Sequence, residues 1–126
     1  MGWRLTVRTD GRVEHERFDG LDELLGVLDR RGRELSEQGR ARPVDVKVKR
    51  FEPAQQVLAR LELAGPERLL PSVRAGIDIH GDGSAEAFRG GIRRLALEQR
   101  PDEDAFAALR RSLSDVLAAA GKGGKD

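Results

Sequence analysis

Asp78, His80 and Glu86 form the most conspicuous metal-like pattern in this sequence, within the stretch AGIDIHGDGSAEAF at residues 75–88. Carboxylates and imidazoles are common ligands of divalent transition metals. A calcium loop starting at Asp78 would require a bidentate glutamate at its twelfth position. That position is Arg89, so the calcium-loop template does not fit.

The same stretch also fits a β-hairpin with a three-residue loop at 81–83. This register sets Phe88 opposite Gly76, where the ring covers a residue without a side chain. It also sets Asp78 opposite Glu86 on the outer face, an unfavourable pairing of like charges. The inward-facing pairs are Ile77 with Ala87 and Ile79 with Ala85.

Two explanations remain open for the facing carboxylates. A divalent ion held by Asp78, His80 and Glu86 would offset their repulsion. Water or a cation from a neighbouring strand would do the same. The candidate cations are Arg60, Arg74 and Lys49.

Other catalytic patterns are missing from the sequence. It has no cysteine and two histidines, His15 and His80. It has no Gly-x-Ser-x-Gly elbow, phosphate-binding loop or dinucleotide-binding glycine motif. These observations predict a non-enzymatic protein without a cofactor.

The composition is that of a single folded domain. The chain has 126 residues, a net charge of +1 and 36% charged residues. We expect one α+β domain over residues 1–120, followed by a disordered tail at 121–126. No apolar run approaches the roughly 20 residues that span a bilayer. Because no secretory signal is evident either, we expect a cytoplasmic protein with no membrane partner.

Alternating residues predict a first hairpin at the start of the chain. A three-residue loop 9–11 would place Val7 opposite Val13 and Leu5 opposite His15, whereas a two-residue turn would place Val7 opposite Glu14. The first register keeps the apolar residues on one face, so it is the predicted one.

A first helix follows Asp19, its predicted N-cap. Its apolar stripe consists of Leu21, Leu24, Leu25, Leu28 and Leu35. The stretch GRARP at 39–43 is predicted to break the chain. A second hairpin pairs a strand around 44–48 with one around 57–63.

The third hairpin, at 75–88, runs on toward residues 90–97, and a second helix closes the fold. That helix has an acidic first turn, and its stripe consists of Phe106, Leu109, Leu113, Val116 and Leu117. The predicted order is ββα-ββββ-α. It gives an antiparallel sheet of about six strands built from three hairpins, with two helices on one face.

Nucleic-acid binding is one hypothesis for this sheet, through two clusters of arginines. One cluster comprises Arg93 and Arg94, and the other comprises Arg30, Arg31 and Arg33. Against it, the predicted outer face is neutral and has Phe88 as its only outward aromatic for base stacking. Its basic positions are Arg4, Arg8, Lys47, Lys49, Arg60 and Arg74. Its acidic positions are Glu14, Glu16, Asp45, Glu62, Asp78 and Glu86.

Protein interaction is the preferred hypothesis, with another protein or a second copy of the chain as partner. Leu69 and Leu70 lie between two prolines, where an apolar pair either plugs the core or contacts a partner. An open sheet also offers edges for pairing. The predicted contact surfaces are the outer face and the connector that contains Leu69 and Leu70.

Overall fold

A computed structural model describes residues 2–41, 57–66, 73–90, 94–114 and 116. They form one antiparallel six-stranded sheet and two helices, which confirms the predicted α+β class and its element order. The elements are β1 (Trp3–Thr9), β2 (Arg12–Phe18), α1 (Leu21–Ala41), β3 (Val57–Ala64), β4 (Arg74–His80), β5 (Ala85–Arg89), β6 (Leu95–Ala96) and α2 (Ala105–Ser112).

The strand order in the sheet is β2-β1-β3-β4-β5-β6. One face of the sheet joins both helices in a single apolar core, which contains Leu5, Leu61 and Ile77 from the strands and Leu24 and Leu109 from the helices. The opposite face is called the outer face below. The predicted strand around 44–48 and the predicted tail 121–126 lie outside the described residues.

The predicted register of the first hairpin is wrong. The turn has two residues, so Val7 lies opposite Glu14, and Trp3 lies opposite Phe18. Both aromatic rings are buried in the core. Burial of this aromatic pair outweighs burial of Val13, which is 52% exposed. Because the register differs by one residue, every side chain of β2 lies on the face opposite to the one predicted.

The register of the third hairpin agrees with the prediction. Ile79 pairs with Ala85 and Asp78 pairs with Glu86. The backbone N–H of His80 donates to the carbonyl of Ser84 at 2.8 Å, which closes the loop. Phe88 lies opposite Gly76, where a Cβ would stand 2.6 Å from the ring.

Helix α1 buries the predicted leucines at positions 21, 24, 25 and 28, with Leu35 partly buried. The helix continues through Gly39 and ends at Ala41, within the predicted break at 39–43. Gly39 permits a close approach of this last turn to the β4–β5 loop, since a Cβ there would stand 2.9 Å from the backbone nitrogen of Gly83. The Ser36 hydroxyl donates to the carbonyl of Gly83 and fixes that contact.

Helix α2 begins one residue after Asp104, whose carboxylate accepts a hydrogen bond from the Ala107 N–H at 2.8 Å. The predicted acids therefore precede the helix and do not form its first turn. Phe106, Leu109 and Leu113 are buried, as the apolar stripe requires. The predicted Leu117 lies outside the described residues.

Candidate functional site

The corrected register of the first hairpin changes the charge of the outer face. Glu14 and Glu16 leave this face, while His15 and Arg17 join it. The strand positions that the structure describes on this face carry five arginines and three carboxylates, a net charge of +2. They are Arg4, Arg8, Arg17, Arg60 and Arg74, with Glu62, Asp78 and Glu86.

Three of these arginines lie in one row across four strands. Arg17 is paired with Arg4, Arg4 with Ala64, and Ala64 with Arg74. These four residues are called the arginine row. All three arginine side chains are exposed, and no acidic side chain in the described parts of the chain forms an ion pair with them. Within the described residues, the row therefore carries positive charge that no carboxylate neutralises.

A shallow pocket opens along the arginine row. Its lining includes Arg4, Thr6, Arg74 and Gly90. Gly90 has a φ of +102°, a conformation that favours glycine, and it contributes no side chain to the pocket lining. Its backbone N–H donates to the carbonyl of Arg74 at 2.8 Å and holds it beside the strand.

Glu62 also lines the pocket, but its carboxylate has two basic partners. Arg8 Nε lies 3.0 Å from one carboxylate oxygen, and Arg94 Nη2 lies 3.2 Å from the other. The charge of Glu62 is therefore offset by these two residues, and it does not neutralise Arg4 and Arg74.

Phe88 is the aromatic residue at the described strand positions of the outer face, yet only 5% of its surface is exposed. Its ring lies on Gly76, and the Arg94 guanidinium carbon stands 4.7 Å from the ring centroid. A base cannot stack on a ring that is covered on both sides. Phe88 thus does not provide the stacking surface that single-stranded RNA platforms use.

Arg60 neutralises the Asp78 side of the predicted metal site. It donates to both oxygens of the Asp78 carboxylate, at 2.6 and 3.2 Å. This hydrogen bond also raises the pKa of Arg60 above its ordinary value. A neighbouring arginine, one of the explanations that the sequence left open, is thus the observed partner of Asp78.

Among the described residues, no group of three or more metal-binding side chains has a geometry that could hold an ion. The metal hypothesis for Asp78, His80 and Glu86 stays a prediction. It requires a zinc- or nickel-dependent rise in melting temperature that His80→Ala abolishes.

The described arginines among those predicted for nucleic acid do not form one surface. Arg94 lies over Phe88 on the outer face, whereas α1 covers the other face. On α1, Arg31 forms an ion pair with Glu14 at 3.5 Å, and Arg33 pairs with Asp29 and Asp104. Arg30 is exposed. The predicted Arg93, and also Leu69 and Leu70, lie outside the described residues.

His15 forms a hydrogen bond with a neighbouring residue on the outer face. Its Nδ1 lies 3.0 Å from the Thr6 hydroxyl, whose residue is 8% exposed. In the first-hairpin prediction His15 lay opposite Leu5, on the apolar side. The observed contact instead places His15 on the outer face, beside the arginine row.

Arg17 is the site residue that the sequence prediction missed. Its position depends on the register of the first hairpin, which was chosen from Val13 and His15 near the turn. The signal that would have identified it is Phe18 at the far end of β2, an apolar residue that needs the core. Pairing Phe18 with Trp3 places Arg17 opposite Arg4.

Comparison with protein-family models, with curated proteins and with solved structures yields no match to this chain. Neither helix, within the residues the structure describes, is long and apolar enough to cross a membrane.

Proposed function

We propose that this protein is a non-enzymatic interaction domain whose outer face binds an acidic segment of another protein. The single observation that carries this proposal is the arginine row. Arg4 and Arg17 stand side by side with no carboxylate between them, an arrangement that costs stability in the free protein. An acidic partner relieves that repulsion and gains charge-assisted hydrogen bonds.

A second copy of the chain is a poorer partner for β2, the long edge strand of the sheet. Two β2 strands that paired antiparallel along their whole length would set Glu14 of one copy opposite Glu16 of the other. Charged residues on an edge strand act against this kind of pairing. A different protein, with acids that face the arginine row, meets no such repulsion.

Nucleic acid is also less well matched to this face. The net charge of the whole chain is +1, whereas nucleic-acid-binding domains are usually strongly basic. The covered Phe88 ring removes the aromatic platform that would add base stacking. A protein segment rich in Asp and Glu needs only the arginines.

The test is a binding titration with two labelled probes, a hexaglutamate peptide and a single-stranded RNA of equal charge. The variant Arg4→Gln/Arg17→Gln/Arg74→Gln removes the charge of the arginine row. The matched control Arg12→Gln/Arg30→Gln/Arg40→Gln removes three exposed arginines that do not belong to the outer face.

We expect the peptide to bind the wild type and the control equally. The row variant should lose about threefold to tenfold in affinity for each arginine removed. An equal loss of peptide affinity in both triple variants would show that binding depends only on net charge, and it would contradict the proposal. Tighter binding of the RNA than of the peptide would instead favour nucleic acid. Light scattering at low and high salt measures the oligomeric state and so distinguishes either result from self-association of the chain.

A further inference from the structure

We infer that the pocket beside Ala64 binds a phosphate monoester, carried on a phosphorylated side chain within the acidic partner segment. This inference rests on the proposed function, because it uses the arginine row as the contact surface. It adds the chemical group that the pocket prefers.

The position of Ala64 provides the space for such a group. Ala64 is the direct neighbour of Arg4 on one side and of Arg74 on the other. Adjacent strands are about 4.8 Å apart, so the two arginine Cα atoms are separated by roughly 10 Å. Long side chains at this separation can converge on one group above the alanine methyl.

The charge of the pocket favours phosphate over carboxylate. Arg4 and Arg74 both line the pocket and form no ion pair with a described carboxylate, while Glu62 is offset by Arg8 and Arg94. A phosphate monoester carries about −1.5 to −2 near neutral pH, and a carboxylate carries only −1. The guanidinium fork also matches phosphate oxygens in a bidentate geometry.

Further groups around the pocket suit a compact anion. The Thr6 hydroxyl lies in the lining and supplies a hydrogen-bond donor when His15 Nδ1 is the donor in their mutual contact. Gly90, in the same lining, adds no side chain that would crowd the peptide carrying the phosphate. Arg17 extends the row by one strand, where an acidic residue that flanks the phosphorylated one would be bound.

The experiment is calorimetric titration of the full chain with three probes. They are a glutamate-rich peptide with one central phosphoserine, the same peptide with aspartate at that position, and inorganic phosphate. We expect the phosphopeptide to bind about tenfold more tightly than the aspartate peptide. Arg74→Lys should abolish this preference while retaining most of the affinity for the aspartate peptide, because lysine keeps the charge but lacks the fork. Arg30→Lys is the matched control and should change neither affinity.

Several results would overturn the inference. Equal affinity for the two peptides would leave the proposed function intact and remove the phosphate preference. Inorganic phosphate that binds as tightly as the phosphopeptide would make this a small-anion site unrelated to a protein segment. Failure of all three probes to bind would overturn the inference and the proposed function together. The single-stranded RNA of the binding test is titrated alongside, and tighter binding of the RNA than of the phosphopeptide would assign the row to nucleic acid.

Discussion

Arg4 lies directly opposite Arg17 on the outer face of the sheet. Like charges in this relationship destabilise a sheet. On the same face, Arg8 and Arg60 do have acidic partners, in Glu62 and Asp78. The arginine row is thus the part of the outer face whose arginines form no ion pair with a carboxylate in the described segments of the chain.

Ala64→Glu should therefore stabilise the protein and block the arginine row. A glutamate at this position lies opposite both Arg4 and Arg74, and each cross-strand pair contributes about 0.2–1 kcal/mol. Urea unfolding should show a higher midpoint for Ala64→Glu than for the uncharged control Ala64→Gln. Hexaglutamate should bind the control but not Ala64→Glu. Binding that survives the glutamate would place the peptide elsewhere.

We expect Arg60 to offset the repulsion between the facing carboxylates of Asp78 and Glu86. Arg60→Gln leaves a half-buried carboxylate beside another acid, at an expected cost of about 1–3 kcal/mol. Asp78→Asn in the same chain should recover most of that loss, because it removes the repulsion. A double-mutant cycle by urea unfolding measures the coupling. Additive effects of the two substitutions would show that Arg60 does not act through Asp78.

Gly83→Ala should be more costly than Gly11→Ala, although both glycines have positive φ values, +88° and +72°. The left-handed conformation alone costs about 1–2 kcal/mol for a residue with a side chain. A Cβ at Gly83 would also stand 2.6 Å from the carbonyl oxygen of Ser36, whereas nothing lies within 4 Å at Gly11. Overpacking adds about 1–3 kcal/mol. Equal unfolding midpoints for the two variants would contradict the close packing of α1 on the β4–β5 loop.

Glu103 should make stability depend on pH below about 4.5. Hydrogen bonds from Arg111 and from the Arg100 N–H lower its pKa from 4.5 to about 2. Because the folded-state pKa is depressed, the contribution is full above pH 4.5 and is lost as the pH falls toward 2. The difference in unfolding midpoint between wild type and Glu103→Gln should be largest at pH 6 and should shrink at pH 2.5. A difference in unfolding midpoint that does not change with pH would show that the charge of the Glu103 carboxylate does not contribute to stability.

The sequence predicted most of the fold because the third hairpin and the leucine stripe of α1 follow simple periodicities. The first hairpin failed because two registers differ by one residue and the residues near the turn fit both patterns. Phe18, at the far end, decides between them by pairing with Trp3 in the core. Helix α1 ends at Ala41, inside the predicted break at 39–43, but the packing of Gly39 against the β4–β5 loop is a tertiary contact that local propensity does not encode.

The candidate site was harder to predict from the sequence than the fold. The row of Arg17, Arg4, Ala64 and Arg74 joins four strands, and their neighbours depend on a sheet order that no local pattern specifies. The neutral outer face of the prediction arose from the one-residue error in β2. The register of an edge strand determines which of its residues lie on a given sheet face, and therefore the charge of that face.

Chemical-shift mapping by NMR tests the central claim most directly. The ¹⁵N-labelled protein is titrated with hexaglutamate, and the backbone amides report where the peptide lies. We expect the largest changes at Arg4, Arg17, Ala64 and Arg74, with none in the same titration of the Arg4→Gln/Arg17→Gln/Arg74→Gln variant. Changes confined to α1, or changes that persist in that variant, would contradict the assignment of the arginine row as the binding surface.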